Sequence, residues 1–291
     1  MASEELLGGR YRLENVAGHG GMATVFAAHD TVLDRKVAIK LLGRSRDGGA
    51  VVRERFEREA RAEAKIVHPN VVSVHDVGEH EDGRPYIVMD YVEGRSLQAI
   101  IAEDGPQSSE RVAIIGFGIA RALAAAHALG IVHRDVKPAN VIVDPQGVPH
   151  LMDFGLARAI FDDDPGVTAP GVLLGTANYV APEQARYGTA SPAADLYSLG
   201  AVLYHALTGE PPFPGENAFD VALRRFEEDP AELRALLPAA DAELTELIHA
   251  LLARDPVDRP WDAAMIAERL GNIAARLRAT RTAGDTPEPL R

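Results

Sequence analysis

The spacing of apolar residues changes its period near residue 95, and that switch constrains the fold more than any other feature of the chain. Upstream, short β-branched runs follow one another: "YRLENVA", "ATVFAAHD", "KVAIKLL", "VVSVHDVGE" and "PYIVMDYV". Turn signals such as Asp82-Gly83 separate them, since glycine accepts the positive φ that a tight hairpin needs. One segment breaks this pattern. In "VVRERFEREARAEAKIV", Val52, Phe56, Ala60, Ala64 and Val67 recur near helical spacing among dense charge, which predicts a single helix. Downstream, helix-length amphipathic blocks take over. The first, "SSERVAIIGFGIARALAAAHALG", can be capped by Ser108 or Ser109 and stopped by Gly130. Blocks at about 193–208, 218–227, 241–252 and 262–278 have the same character. The expected class is α+β, with a small antiparallel sheet carrying one helix, then a mainly helical part, joined at "YVEGRS".

Composition narrows the chemistry. A chain of 291 residues suffices for one large domain or two modest ones. A globule of this size buries roughly three quarters of its unfolded surface, so no covalent staples are needed. It has no cysteine, which excludes a disulfide framework and a thiolate zinc site and leaves oxygen and nitrogen groups to do the work. The formal charge of −13 argues against a general affinity for nucleic acid or anionic lipid but permits a specific phosphate site. No run reaches the ~18 apolar residues that cross a bilayer, and "MASEELLGGR" lacks the order of a secretion signal, so a cytoplasmic location without membrane contact is expected. The end, "RLRATRTAGDTPEPLR", reads as a polar tail.

Three stretches carry chemistry. In "AGHGGMATVF", Gly18, Gly20 and Gly21 remove side chains that would keep a phosphate from backbone N–H groups. The strand-like "TVFAAHD" after them disfavours a dinucleotide-binding turn, which would lead into a helix, and a GxxxxGK[ST] loop is absent. Lys40 closes the apolar run "VAIK", where an ammonium needs a counter-charge, and the predicted helix offers Glu59 or Glu63. Finally "HRDVKPAN" supplies Asp135, Lys137 and Asn140 on a loop that Pro138 keeps from being helical, and "LMDFG" adds Asp153 in apolar surroundings. Two carboxylates and an amide oxygen suit a hard cation such as Mg²⁺ that also binds phosphate oxygens. His68, His75 and His80 fall in strands and turns and are read as structural rather than metal ligands, and Trp261 as core.

The order glycine loop, "VAIK", "HRDVKPAN", "DFG", "APE" resembles that of a bacterial, eukaryote-like serine/threonine protein kinase. The resemblance implies a bilobal fold, with an N-terminal extension over 1–10, a small lobe over about 11–92, a large lobe over about 93–275, and a polar tail or juxtamembrane linker over 276–291. It implies ATP and Mg²⁺, with Mn²⁺ as an alternative. The loop of Ala17, Gly18, His19, Gly20, Gly21, Met22, Ala23, Thr24 and Val25 would cover the triphosphate, with Ala23 standing where a third glycine is usual. Lys40 would hold the α- and β-phosphates and pair with Glu59, nine residues before "HPN"; Glu63 stands where such kinases usually carry an uncharged residue. Adenine would lie between Val25 and Ala38 above and Ile142 below, with backbone bonds from Asp90 and Val92 and with Met89 at the back.

The same resemblance makes Asp135 the residue that orients the acceptor hydroxyl and takes its proton, Lys137 the neutraliser of the transferring phosphate, and Asn140 and Asp153 the metal ligands. Thr176, in "GTANYVAPEQ", would bond to the catalytic Asp and Lys. Glu183 and Arg259 would form a buried ion pair, and Asp195 would brace the catalytic loop. Thr168 is the one hydroxyl between Ala157 and Thr176, and Arg134 is a receptor for its phosphate, so autophosphorylation there is expected. Protein substrates and a homodimer through the small lobe complete the implied partners. A catalytically silent scaffold is disfavoured because Lys40, Asp135, Asn140 and Asp153 are all present. A small-molecule phosphotransferase is disfavoured by the peptide-platform residues Thr176, Glu183 and Arg259.

Overall fold

The computed structural model describes residues 6–19, 23–43, 49–154, 177–215, 217–260 and 262–284. The chain divides into two compact units, Met1–Glu93 with Met152–Thr168, and Gly94–Leu151 with Ala169–Arg291. The break between Glu93 and Gly94 falls inside "YVEGRS". Gly94 has φ 159°, and a Cβ there would run into the Val143 carbonyl, so only glycine fits.

The first unit is built on a six-stranded antiparallel sheet of order β1-β2-β3-β4-β6-β5. Its strands are β1 (Leu6–Leu7), β2 (Tyr11–His19), β3 (Ala23–Asp30), β4 (Arg35–Leu42), β5 (Val74–Glu79) and β6 (Pro85–Asp90). Helix α1 spans Gly49–Glu63. The β-branched runs became the main strands, and the β5–β6 hairpin turns at Gly83 with φ 83°. Leu6–Leu7, ahead of the main strands, pairs with Tyr11 and Arg12 at the edge of the sheet.

Strand alternation decides where the chemistry goes. In β4, Val37, Ile39 and Leu41 enter one core layer with Tyr11, Ala28, Tyr86 and Val88. The intervening Ala38 and Leu42 face the other side, where Phe56 and Ala60 of α1 and Met89 pack. Lys40 shares that second face by period two. On α1 the buried stripe is Phe56, Ala60 and Glu63, at i, i+4 and i+7. The expected continuation through Ala64 and Val67 is not found, because the helix ends at Glu63 and Val67 is 89% exposed; Ile66 turns inward instead.

The second unit is mainly helical. Its helices are α2 (Leu97–Asp104), α3 (Ser109–Ala128), α4 (Pro182–Tyr187), α5 (Pro192–Thr208), α6 (Ala218–Glu227), α7 (Leu233–Leu236), α8 (Ala242–Leu251) and α9 (Ala263–Gly284). Ser108 caps α3 by accepting the Arg111 N–H, and Gly130 follows its end at φ 71°. Helix α3 is long and apolar enough to cross a membrane, but its apolar residues are buried against α5 and α9. Gly116 permits that approach, since a Cβ would lie 2.9 Å from Leu203 and 3.0 Å from Leu270. A three-stranded sheet, β7 (Arg95–Ser96), β8 (Val141–Val143) and β9 (Pro149–Leu151), was not legible as strands. Its strands are too short to show a period.

Helix α9 runs on to Gly284, because Arg276 forks onto Asp241 at 2.8 and 3.0 Å and Arg281 lies 3.3 Å from Glu110. Arginines that read as a polar tail are a helix face matched to acidic partners.

Candidate active site

In the first unit, Lys40 stands opposite Val25 on one neighbouring strand and Ile87 on the other. Its side chain is largely buried, and among the described residues its ion pair is with Asp153, at 2.8 Å, and not with Glu59. Glu59 is half-buried one turn before Glu63. Glu63 is the buried carboxyl, 3% exposed. Burial pushes this carboxyl up to about 8, and the Asp153 carboxylate adds to the rise; the Lys40 ammonium and the nearby Phe154 and Asp153 backbone oppose it. The sign of each contribution follows from the cost of a charge out of water beside a like charge. Sequence reasoning chose between Glu59 and Glu63 by motif spacing, whereas the i+7 step from Phe56 is the signal that marks Glu63 as buried.

Four of the residues expected around adenine belong to one apolar cluster of this unit. Ala38 and Met89 are buried, with Val25 and Val92 packed against them. Val72, Tyr91 and Met152 join the cluster and were not anticipated. The Asp90 N–H donates to the Ser73 carbonyl at 3.0 Å, and its carboxylate meets His75 at 2.6 Å. Gly18 and Thr24 lie on β2 and β3, with Gly18 opposite Val25 after two register shifts. Gly20, Gly21 and Met22 lie outside the described residues, as does the side chain of His19.

In the second unit, the loop "HRDVKPAN" is held from beneath by Asp195, which is 1% exposed on α5. Its Oδ2 accepts the His133 N–H at 2.8 Å, its Oδ1 accepts the Arg134 N–H at 2.8 Å, and His127 Nε2 lies 2.8 Å from Oδ2. Arg134 has φ 71°, and its carbonyl accepts Gln184 Nε2 at 2.9 Å. Non-glycine residues at positive φ among those described are Asp34, Arg134 and Asp153, so two of the three lie at the candidate site, where such strain is commonly held by surrounding bonds. The backbone of Asp135 is fixed by its N–H to His133 Nδ1 at 3.2 Å. Its Oδ2 then receives Lys137 Nζ at 2.7 Å and Asn140 Nδ2 at 3.1 Å. Asn140, 6% exposed in a one-turn 3₁₀ helix begun by Pro138, also donates to the Asp135 carbonyl at 2.8 Å. With its nitrogen engaged twice, its amide oxygen is what it can offer a cation. Ile142 follows on β8, opposite Ser96 and His150.

Further support lies deeper in this unit. Arg259, 2% exposed, meets Glu183 through two bonds of 2.7 and 2.8 Å. It also donates to the carbonyls of Ala253, Ala193 and Arg254 and lies over the Tyr197 ring at 4.9 Å. Sequence reading missed His205, whose Nδ1 is 2.7 Å from the Tyr179 hydroxyl; burial pulls its pKa below the usual imidazole range. Thr168, Thr176 and Trp261 lie outside the described residues.

Taken separately, the Asp153 carboxylate of the first unit and the Asn140 amide oxygen of the second are oxygen donors of the kind a hard divalent cation accepts. No group of three or more His, Asp and Glu side chains forms a metal cluster among the described residues. His75 and His80 are engaged by Asp90 and Asp82, and His68 Nδ1 accepts the Asn70 N–H.

A strand lysine, a braced Asp-Lys-Asn loop and a metal-type aspartate are the parts of a phosphoryl-transfer enzyme. The family model described as "Protein kinase domain" matches residues 11–269. The chain belongs to the protein kinase family. It is 40% identical to serine/threonine-protein kinase PknB of Mycobacterium tuberculosis over 267 residues, covering 91% of this chain and 43% of PknB. It is also 40% identical to PknA of the same organism over 287 residues, covering 97% of this chain and 65% of that protein. The chain thus spans less than half the length of PknB. The crystal structure of the M. tuberculosis PknI kinase domain superposes with a TM-score of 0.72 at 29% identity, covering 94% of this chain and 99% of that one.

Proposed function

We propose that the chain is an ATP-dependent serine/threonine protein kinase that transfers the γ-phosphoryl group to Ser and Thr hydroxyls of proteins. The observation that carries this reading is the loop in which Asp135 Oδ2 meets Lys137 Nζ at 2.7 Å, with Asn140 and Asp195 holding the backbone and side chain in place. The printed names of the relatives support the same class.

Asp135 orients the acceptor hydroxyl and takes its proton as the new O–P bond forms and the bond to the ADP oxygen breaks. Lys137 offsets charge on the transferring group, and Lys40 holds the α- and β-phosphates. Magnesium, with manganese as the alternative, would be bound by Asn140 and Asp153 and would supply charge neutralisation on the phosphates. Val25, Ala38, Met89 and Val92 offer adenine an apolar surface, and the motif order is the support for adding Ile142. Glu59 is the helix carboxylate proposed to pair with Lys40 once Asp153 is engaged by metal. The ATP requirement suits a cytoplasmic location, either for a free chain or for the cytoplasmic part of a longer, membrane-anchored kinase. Homodimerisation through the first unit is a further expectation.

Regulation is assigned to Thr168, with Arg134 as the receptor for its phosphate; among the described residues no carboxylate pairs with the Arg134 guanidinium. Labelled ATP and Mg²⁺ test the activity: the wild type should label itself and a protein acceptor, and Asp153→Asn should not. No transfer by the wild type would refute it. Thr168→Ala should lose the principal phosphopeptide and most activity; an unchanged phosphopeptide map with full activity would refute that assignment.

A further inference from the structure

Three residues ahead of helix α4 stands Tyr179, which has no part in the transfer chemistry set out above. It is 4% exposed, and a buried hydroxyl is costly unless a partner meets it. The partner is His205 of α5, whose Nδ1 lies 2.7 Å from the phenol oxygen, with the two rings 23° from parallel and 6.0 Å apart. Burial pushes the phenol up and pulls the imidazole down, so the hydroxyl donates and a neutral ring accepts. His205 is itself 7% exposed and sits in the unbroken buried run 194–207 of α5.

Two residues before Tyr179, the Ala177 carbonyl accepts a hydrogen bond from Arg225 of α6. Arg225 is 2% exposed; among the described residues it forms no ion pair with a carboxylate, and its Nε has no hydrogen-bond partner. A guanidinium buried against a carbonyl instead of a counter-charge is costly, and what the bond achieves is to fix Ala177. Neither bond is local, since they span 26 and 48 residues. Nor does a side chain cap the start of α4, because Ala181 occupies the N-cap place. The course of the 177–181 stretch is therefore set from α5 and α6. Just beyond it, Gln184 of α4 donates to the Arg134 carbonyl at 2.9 Å, which ties the same segment to the loop that carries Asp135.

We propose that His205 and Arg225 are positioning residues for the protein acceptor: by holding Tyr179 and Ala177 they fix the 177–181 stretch as the platform on which the Ser- or Thr-bearing segment of the substrate is laid beside Asp135. This deepens the proposed kinase function and rests on that reading, since the motif around this stretch is what implies a peptide platform. The buried members of the stretch, Tyr179 and Ala181, serve as its anchors, and the partly exposed Asn178 and Val180 are left to meet the acceptor. Loss of either anchor frees the stretch without touching the groups assigned to ATP. Misplacement of a substrate relative to the reacting groups is enough to cost rate.

The test pairs each disruptive variant with one that restores the bond. His205→Phe keeps a ring without an acceptor, whereas His205→Asn returns an amide oxygen near the place of Nδ1; Arg225→Met keeps the stem, whereas Arg225→Lys can still donate to the Ala177 carbonyl. With labelled ATP and dephosphorylated casein as the acceptor, His205→Phe and Arg225→Met should raise KM for casein by roughly tenfold or more and leave KM for ATP within about twofold of wild type. His205→Asn and Arg225→Lys should recover most of that loss. A second measurement reads the bond without activity: in urea unfolding, the effects of Tyr179→Phe and His205→Phe on the unfolding constant, multiplied together, should exceed that of the double variant by about fivefold. Independent effects in that cycle overturn the pairing. An unchanged KM for casein overturns the platform, as does a rise in both KM values together, or a His205→Asn protein as impaired as His205→Phe, either of which would mark a purely structural role. No transfer by the wild type would refute the kinase reading and the platform with it, whereas an active wild type whose variants keep their KM for casein refutes the platform alone.

Discussion

The two lysine–aspartate pairs of this protein are built in opposite ways. Asp135 and Lys137 are two residues apart, 2.7 Å from each other, on a loop whose backbone is held by Asp195, His133 and Gln184. Lys40 and Asp153 lie far apart in sequence, on a sheet strand and a turn, and their neighbour Glu63 retains a buried oxygen with no hydrogen-bond partner among the described residues. The first pair is locally specified and satisfied. The second depends on three separate segments and keeps a surplus of carboxylate, which suits a position where a cation competes for Asp153. A fixed loop and an exchangeable ion pair are different physical answers to holding a carboxylate.

The largest effect should come from breaking the fixed pair chemically: Asp135→Asn should lower kcat by about 10²–10⁴-fold with the thermal unfolding midpoint little changed. Comparable loss from Lys40→Ala with an unaltered fold would place both pairs on the reaction path; near wild-type rates for either would separate them. The support beneath the loop should show in stability instead. Arg259→Leu leaves Glu183 and three carbonyls unmet and should destabilise by about 3–5 kcal/mol in denaturant unfolding. Asp195→Ala removes the acceptor of two N–H groups and should destabilise by about 2–3 kcal/mol while lowering kcat further than Arg259→Leu does.

The smallest expected effect is a pH dependence. Burial lowers the folded-state pKa of His205, so its neutral form is favoured in the native protein. Its contribution to stability is complete above the unfolded value of ~6.5 and is lost as pH falls from there towards the folded value. Urea unfolding between pH 7.5 and 5 should show this slope in the wild type and a reduced one in His205→Gln. Equal slopes would mean that His205 charges without penalty.

Much of this was legible before any coordinates. The strands of the first unit announce themselves by β-branched runs of period two, and the long helices of the second by caps such as Ser108 and stops such as Gly130. The short strands β7–β9 and the end of α9 were not legible. Three residues are too few to display a period, and the arginines after residue 275 look like a solvated tail until Asp241, Glu243 and Glu110 are brought beside them. Of the candidate site, the motif order points to Lys40, Asp135, Asn140 and Asp153. It says nothing about which carboxylate meets which ammonium, because a counter-ion is chosen by distance in space.

The sequence by itself determined the class of fold and which chemical groups are candidates for phosphate and metal, because periodicity and motif order are properties of the chain. Only the tertiary structure decided that Lys40 rests on Asp153 and that Glu63 rather than Glu59 is the buried glutamate. The physical reason is that burial and hydrogen bonding belong to surroundings assembled from distant segments, so two glutamates one turn apart on one helix can meet unlike environments.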